Sequence, residues 1–273
     1  MRRISALIAV LLASAIAGSW VAAVSGAPSA ELPSPAQLAG KVRGIDTVSV
    51  VATAASSAFP DRSRYADPAT DDEYFVDSKA GVVTAYISSR VDRPRRWNDN
   101  PRLAEITSSA DALMERCLPN GPALKSEMKR SVHVVSSRPD DLASSPKSFE
   151  GYSDVVVEYH LVRGGVRYPT GFSATYDGDN GELLSLIQVS KPVTIPLESH
   201  VSRDEAVRIA SASAHVPIHV EDEVFLSVFG AEGAPQRLIW DITLHTGDGG
   251  TTSGTTVHAG VDAKTGAVMF GNW

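Results

Sequence analysis

The sequence is short of cysteine, with Cys117 as the single one among 273 residues. One cysteine excludes an intrachain disulfide and a thiolate metal site, because both need several cysteines. Cys117 falls on the apolar stripe of a predicted helix, so we expect it to be buried as a small hydrophobic residue. The alternative is a reactive or intermolecular thiol.

Motifs that anchor catalytic sites are also missing. The sequence has no Gly-x-Ser-x-Gly elbow, no phosphate-binding P-loop, no His-Glu-x-x-His pair and no dinucleotide fingerprint. We therefore predict that the protein is not an enzyme. We expect no catalytic residue, no bound cofactor and no metal ligand.

Acidic and histidine patterns that suggest metal sites have simpler explanations. His215 and His219 have the spacing of two ligands, but Pro217 breaks the helix that would align them. Residues 177–182 look like part of a calcium loop but lack its distal Glu. The acidic run at residues 71–73 is expected at a solvated strand edge.

Positive charge is scarce, since 25 Lys and Arg stand against 32 Asp and Glu and the net charge is −7 at pH 7. Nucleic acid and anionic lipid need a concentrated basic face, so neither is expected as a general partner. One basic cluster is our predicted binding site for a protein partner, and the alternative for it is a solvated loop. Its members are Arg90, Arg93, Arg95, Arg96 and Trp97.

The one long apolar run lies at the N-terminus. Two arginines precede a run that begins at Ile4, and small residues end it at Ala27, as in a secretory signal peptide. We predict a signal peptide over residues 1–27, with an uncleaved membrane anchor as the alternative. Residues 28–66 follow as a linker and N-terminal segment. Because residues 28–43 are rich in Pro, Ala and Ser, we expect them to form a tether.

A pattern of Asp, three turn residues and Gly between apolar segments occurs three times. Asp accepts hydrogen bonds from backbone N–H groups two or three residues on, and Gly takes the positive φ that leads into the second strand. Each copy therefore predicts a β-hairpin, and three copies indicate an internally repeated unit. The paired residues are Asp77 and Gly81, Asp177 and Gly181, and Asp262 and Gly266.

A predicted helix and strands precede each of the last two hairpins. In the first helix Asn100 is the predicted N-cap, Pro101 takes the first helical position, and an apolar face ends at Cys117. In the second, Ser202 and Glu205 form a predicted capping box before an alanine-rich face. We therefore predict an α+β fold of tandem small units, each a helix packed on an antiparallel β-sheet.

The last unit resembles the PepSY domain, to which the propeptide module of thermolysin-type metallopeptidases is similar. The resemblance is carried by residues 202–206, 238–242 and 261–268, and residues 159–181 look like a more divergent copy. It implies a first PepSY-like unit over residues 67–195 and a second over 196–273. The hairpin at residues 74–88 is either an extra hairpin of the first unit or the remnant of a third.

The resemblance implies an extracytoplasmic, non-catalytic protein with no ligand residues to carry over. We expect an exported protein, secreted or tethered to the membrane by its N-terminal segment, that binds and modulates a secreted or envelope protein. Inhibition of a peptidase in trans is the most specific version of this expectation. The alternatives are a structural or adaptor module of the cell envelope and, last, a cryptic hydrolase.

Overall fold

The structure, a computed structural model, describes residues 32–56, 61–91, 98, 100–137, 152–214, 220–230, 235–246 and 255–271. The α-helices in these ranges are α1 (Pro35–Arg43), α2 (Leu103–Cys117), α3 (Gly121–Leu124) and α4 (Arg203–Ala214), and a short 3-10 helix follows α3 at Lys125–Glu127. The strands are β1 (Val51–Ala52), β2 (Ser63–Ala66), β3 (Glu73–Asp77), β4 (Val82–Ile87), β5 (Met128–Ser137), β6 (Tyr152–Arg163), β7 (Val166–Asp177), β8 (Leu183–Ser190), β9 (Val220–Phe229), β10 (Arg237–Thr246), β11 (Thr255–Asp262) and β12 (Val268–Gly271). The prediction of an α+β fold is confirmed.

The described chain divides into two compact units. The N-terminal unit contains the described residues up to His160 and Thr170–Ser190. The C-terminal unit contains Leu161–Pro169 and the described residues from Lys191 onwards. The boundary between PepSY-like units at residues 195 and 196 stays a prediction, because compactness alone does not define a repeat. None of the helices in the described ranges has the length and hydrophobicity that a membrane crossing requires.

In the N-terminal unit the strands follow the order β1-β2-β3-β4-β8-β7, and each neighbouring pair is antiparallel. Strand β6 pairs with β7, and β5 pairs with β6. Helix α2 is tied to β6 by the hydroxyl of Tyr159, which donates to a carboxylate oxygen of Asp111 at 2.5 Å. The buried face of α2 follows the predicted periodicity and consists of Ile106, Ala110, Leu113, Met114 and Cys117.

The start of α2 differs from the prediction. The helix begins at Leu103, and its N-cap is Arg102 without a side-chain cap, so Asn100 is not the cap and Pro101 is not the first helical residue. The N–H of Asn100 donates to the side chain of Asn98 at 2.9 Å, and the N–H of Arg102 donates to the carbonyl oxygen of Gly178 at 3.4 Å. These contacts hold the chain outside the helix and override the local capping signal.

Residues 35–43 form helix α1, so the prediction of a tether is wrong for them. The hydroxyl of Ser34 accepts from the N–H of Gln37 at 3.3 Å, and the side chain of Gln37 accepts from the N–H of Ser34 at 2.8 Å. Pro35 occupies the first turn, where its missing N–H costs nothing. Proline and serine therefore mark a helix start here. Inside the helix Leu38, Ala39 and Val42 are buried.

In the C-terminal unit β9, β10, β11 and β12 form an antiparallel series, and the start of β7 runs parallel to β9. Helix α4 lays an alanine face on β10 and β11, and small side chains allow the helix to approach the sheet closely. The buried cluster consists of Ala206, Ala210, Ala214, Ile242, Leu244, Ala259 and Val261. The hydroxyl of Ser202 accepts from the N–H of Glu205 at 3.2 Å. The carboxylate of Glu205 binds Arg208, so half of the predicted capping box is present among the described contacts.

Candidate partner-binding surface

The three Asp–Gly turns share one hydrogen-bond pattern. The Oδ1 atom of each Asp accepts the N–H of the residue two positions on, at 2.9 to 3.0 Å. The N–H of each Gly donates to the carbonyl oxygen of the Asp at 2.8 to 2.9 Å. The glycines Gly81, Gly181 and Gly266 have φ of 64°, 76° and 73°, where a residue with a Cβ is strained. The turns are therefore copies of one local structure.

In two of the turns the Asp also forms an ion pair with an arginine, a different one in each turn. In the first, Nη1 of Arg62 lies 3.2 Å from Oδ2 of Asp77. In the last, Nη1 of Arg237 lies 3.4 Å from Oδ2 of Asp262. Arg62 directly precedes β2, the strand that pairs with the Asp77 hairpin, and Arg237 is the first residue of β10, the strand that pairs with the Asp262 hairpin. The second carboxylate oxygen of the Asp thus has an equivalent partner in both copies.

Hydrogen bonding makes the charged form of Asp262 favourable in the folded state. Burial by itself raises the pKa of Asp262, but hydrogen bonds from the N–H groups of Thr265 and Lys264 and from Arg237 together hold it below its usual value. A carboxyl with a lowered folded-state pKa stabilises the fold above its unfolded pKa. It loses that contribution as the pH falls through the folded value.

We expect Asp262→Asn to lower the free energy of unfolding by about 1 kcal/mol at neutral pH, because a neutral acceptor replaces a charged one. The difference from the parent protein should shrink as the pH falls below about 4, where the unfolded carboxyl is protonated. Urea unfolding at a series of pH values measures it. Lys264→Ala is the control, because that exposed side chain leaves the turn intact. A difference that stays constant down to low pH would contradict this explanation.

Each turn also lies close to a helix or to the segment that precedes one. A Cβ added at Gly181 would lie 3.8 Å from Ile106 of α2, and one at Gly266 would lie 3.3 Å from Ile209 of α4. A Cβ added at Gly81 would lie 3.0 Å from Leu32, which precedes α1. In the last two copies the hairpin and the preceding helix therefore lie together, whereas the Asp77 hairpin contacts Leu32 ahead of α1. The assignment of the hairpin at residues 74–88 to the first unit or to a third unit stays a prediction.

The predicted binding cluster is described only at its edges. We call residues 90–97 the basic segment and residues 177–182 the Asp177 turn. Arg93, Arg95, Arg96 and Trp97 lie outside the described residues. Arg90 is half exposed and forms an ion pair with Glu182 of the Asp177 turn. An ion pair this exposed adds little stability, and it places the side chain of Arg90 beside the Asp177 turn.

The other end of the basic segment reaches the same turn. The N–H of Asn98 donates to the hydroxyl of Ser153 at 3.1 Å, and that hydroxyl donates to the carbonyl oxygen of Asn98 at 3.0 Å. The carbonyl oxygen of Ser153 in turn accepts the N–H of Gly178 at 2.8 Å. The side-chain amide of Asn98 lies 3.5 Å from a carboxylate oxygen of Asp179. Both flanks of the basic segment are thus held beside the Asp177 turn.

Among solved structures the chain is similar to the C-terminal domain of YpeB from Bacillus megaterium. The two are 14% identical with a TM-score of 0.49, over 86% of this chain and 94% of that chain. No protein-family model and no curated protein matches the chain. At this identity and TM-score the likeness carries no argument about function.

A buried polar centre in the N-terminal unit was not visible in the sequence. Asp72, expected at a solvated edge, is 3% exposed and accepts four hydrogen bonds. They come from Arg43 (2.6 Å), the hydroxyls of Tyr86 (3.0 Å) and Ser88 (3.3 Å), and the N–H of Ser89 (2.9 Å). Burial, and next the charge of Asp72, raise the pKa of Tyr86. The expectation for Asp72 is therefore wrong, since its partners lie far away in the chain.

The expected burial of Cys117 is confirmed. The residue is 8% exposed, and burial raises the pKa of its thiol to about 12, so the unreactive protonated form dominates at neutral pH. Within the described ranges, no group of three or more His, Cys, Asp or Glu is arranged to hold a metal ion. His215 and His219 lie outside those ranges.

Proposed function

We propose that the protein is an exported, non-catalytic, PepSY-like protein that binds another secreted or envelope protein. The observation that supports the proposal is the Asp–Gly turn, which is repeated with the same hydrogen bond and a positive φ at Gly81, Gly181 and Gly266. The last copy contains the residues on which the PepSY resemblance rests. Small repeated modules of this kind commonly provide binding surfaces. The non-catalytic part of the proposal rests on the absence of catalytic motifs from the sequence.

The basic segment is the proposed docking element for an acidic surface of the partner. Arginine and tryptophan are the residue types that contribute most to protein interfaces, and guanidinium groups pair well with carboxylates. The contacts of Arg90 with Glu182 and of Asn98 with Ser153 support this choice, because they bring both ends of the segment beside the Asp177 turn.

The most specific form of the proposal is inhibition of a secreted peptidase in trans. The test is a titration of purified residues 28–273 into secreted peptidases of the source organism, with residual proteolysis as the readout. We expect saturable inhibition that is lost in a variant with alanine at five positions. These positions are Arg90, Arg93, Arg95, Arg96 and Trp97. No inhibition by an added protein that stays intact throughout would overturn the peptidase version.

A matched control distinguishes an effect of the basic segment from an effect of net charge. Like the five-position variant, the control loses four positive charges, but at exposed positions elsewhere: Lys79→Ala, Arg203→Ala, Arg208→Ala and Lys264→Ala. The control should inhibit as well as the parent protein. An equal loss in both variants would mean that overall charge, and not the basic segment, governs binding. Retention on cell-wall or membrane fractions in place of inhibition would favour the envelope adaptor.

A further inference from the structure

Strand β5 is the longest free sheet edge in the described part of the chain. It runs for ten residues, Met128–Ser137, and has β6 as its strand neighbour there. The edge strands β1 and β12 have two and four residues. Short edge strands limit pairing between molecules, whereas a ten-residue edge presents a row of backbone groups that a further strand can use.

Charged side chains protect that edge only at the start of β5, where Lys129 and Arg130 are exposed. The strand contains no proline or glycine, and its Val132 and Val134 are 37% and 47% exposed. Two of its polar side chains contact acidic residues of the same N-terminal unit: Arg130 lies 2.8 Å from Asp111, and His133 lies 3.7 Å from Glu158. An exposed valine pair next to open backbone groups is a combination that isolated soluble proteins avoid.

We propose that β5 pairs with β5 of a second copy of this chain, antiparallel and two-fold symmetric about His133. This register places Val132 opposite the partner's Val134, and Val134 opposite the partner's Val132. It keeps Lys129 and Arg130 of the two copies at least six positions apart, and it places Ser131 opposite the partner's Val135. His133 faces the partner's His133 at the axis, where each is beside its own Glu158.

Shifting the axis by one residue destroys this match. An axis at Val132 would place Arg130 opposite the partner's Val134, and an axis at Val134 would place Val132 opposite the partner's Ser136. Directly opposed apolar side chains stabilise a strand pair, and mismatched ones do not. Of these three registers, the one about His133 alone places both exposed valines opposite valines.

The size of the contact sets the strength of the dimer. One strand pair covers less than the roughly 1,200 Å² that stable interfaces bury, so the dimer is weak and depends on protein concentration. Two-fold pairing also uses up the β5 edge of both copies, and assembly through it stops at two. The inference does not depend on the proposed partner of the basic segment.

Analytical ultracentrifugation of residues 28–273 across the micromolar range tests the dimer. We expect a monomer–dimer equilibrium that is weakened at least about tenfold by the combined change Val132→Lys and Val134→Lys, which opposes lysines across the axis. The control is Val51→Lys, at a 54% exposed valine on the two-residue strand β1. A parent protein that stays monomeric, or equal weakening by the control, would overturn the proposal.

Disulfide formation tests the register itself. Opposite residues of an antiparallel pair have Cα atoms about 4.5 to 5.5 Å apart, which suits a disulfide. His133→Cys should therefore form an intermolecular disulfide under mild oxidation, with little background because Cys117 is buried. Ser131→Cys should not, since its two copies would lie about 13 Å apart along the strands. Cross-linking of Ser131→Cys as fast as His133→Cys would rule out this register.

Discussion

Replacing Asp72 by alanine is expected to lower the free energy of unfolding by about 3 kcal/mol. The carboxylate is 3% exposed and accepts from Arg43, Tyr86, Ser88 and the backbone of Ser89. Its removal leaves two buried hydroxyls without their acceptor and a guanidinium without its counter-charge. Urea unfolding of the parent protein and of Asp72→Ala measures the loss.

The control for this prediction is Asp46→Ala. Asp46 is an exposed carboxylate in the same unit, and its removal should change the free energy of unfolding by less than about 0.5 kcal/mol. A second variant, Asp72→Asn, keeps an acceptor oxygen and should recover part of the loss. If Asp72→Ala were no more destabilising than the control, water would be able to replace the carboxylate, and the centre would not be structural.

Replacing Ile242 by alanine is the second change with a large expected effect. Its side chain is 0% exposed and packs in the cluster between α4 and the strands β10 and β11. The helix contributes Ala206, Ala210 and Ala214 to this cluster, and alanine side chains cannot rotate to fill a cavity. We therefore expect a loss of about 2 to 5 kcal/mol in the free energy of unfolding.

Two measurements check this prediction. Chemical unfolding gives the size of the loss, and amide hydrogen exchange shows whether α4 and β10 open more readily, since exchange reports local stability. Ile45→Ala is the matched control, because Ile45 is 57% exposed and its truncation should cost less than about 0.5 kcal/mol. Equal effects of the two truncations would contradict the packing of α4 on the sheet.

The features that could be predicted from the sequence are those that neighbouring residues determine. An Asp–Gly turn is closed by hydrogen bonds between residues two to four apart, so the sequence around Asp77, Asp177 and Asp262 is enough to predict it. The buried faces of α2 and α4 are likewise set by helical periodicity within one segment. The α+β class follows from these elements.

The features that sequence reasoning missed depend on distant partners. Asp72 is buried because Arg43 lies 29 residues before it and Tyr86 lies 14 residues after it, and no local pattern connects the three. The observed start of α2 differs from the predicted one for the same reason, since the N–H of Arg102 donates to the carbonyl oxygen of Gly178 in the Asp177 turn. The spacing of Ser34 and Gln37 is that of the capping box of α1, but a composition rich in Pro and Ala favours the prediction of a tether.

The candidate surface depends both on a local sequence pattern and on contacts between residues that are distant in the chain. The basic residues of the segment stand out by composition alone. Its attachment to the Asp177 turn does not, because Arg90 and Glu182 are 92 residues apart in the chain. A sequence can therefore suggest which residues bind, whereas the neighbour that holds them in place emerges from the fold.

The chain passes between the two units more than once, and this governs how the protein can be divided. The C-terminal unit takes Leu161–Pro169 from the middle of the β6–β7 hairpin, and one of its buried clusters joins Val166 to Val228, Leu238 and Ala263. A fragment that starts at residue 196 leaves Val166 behind, and one that ends at residue 160 lacks β7 and β8. On the ribosome, the N-terminal unit cannot close before Ser190 has been made. Both units are thus complete only in a chain that contains residues 161–190 together with the sequence on either side of them.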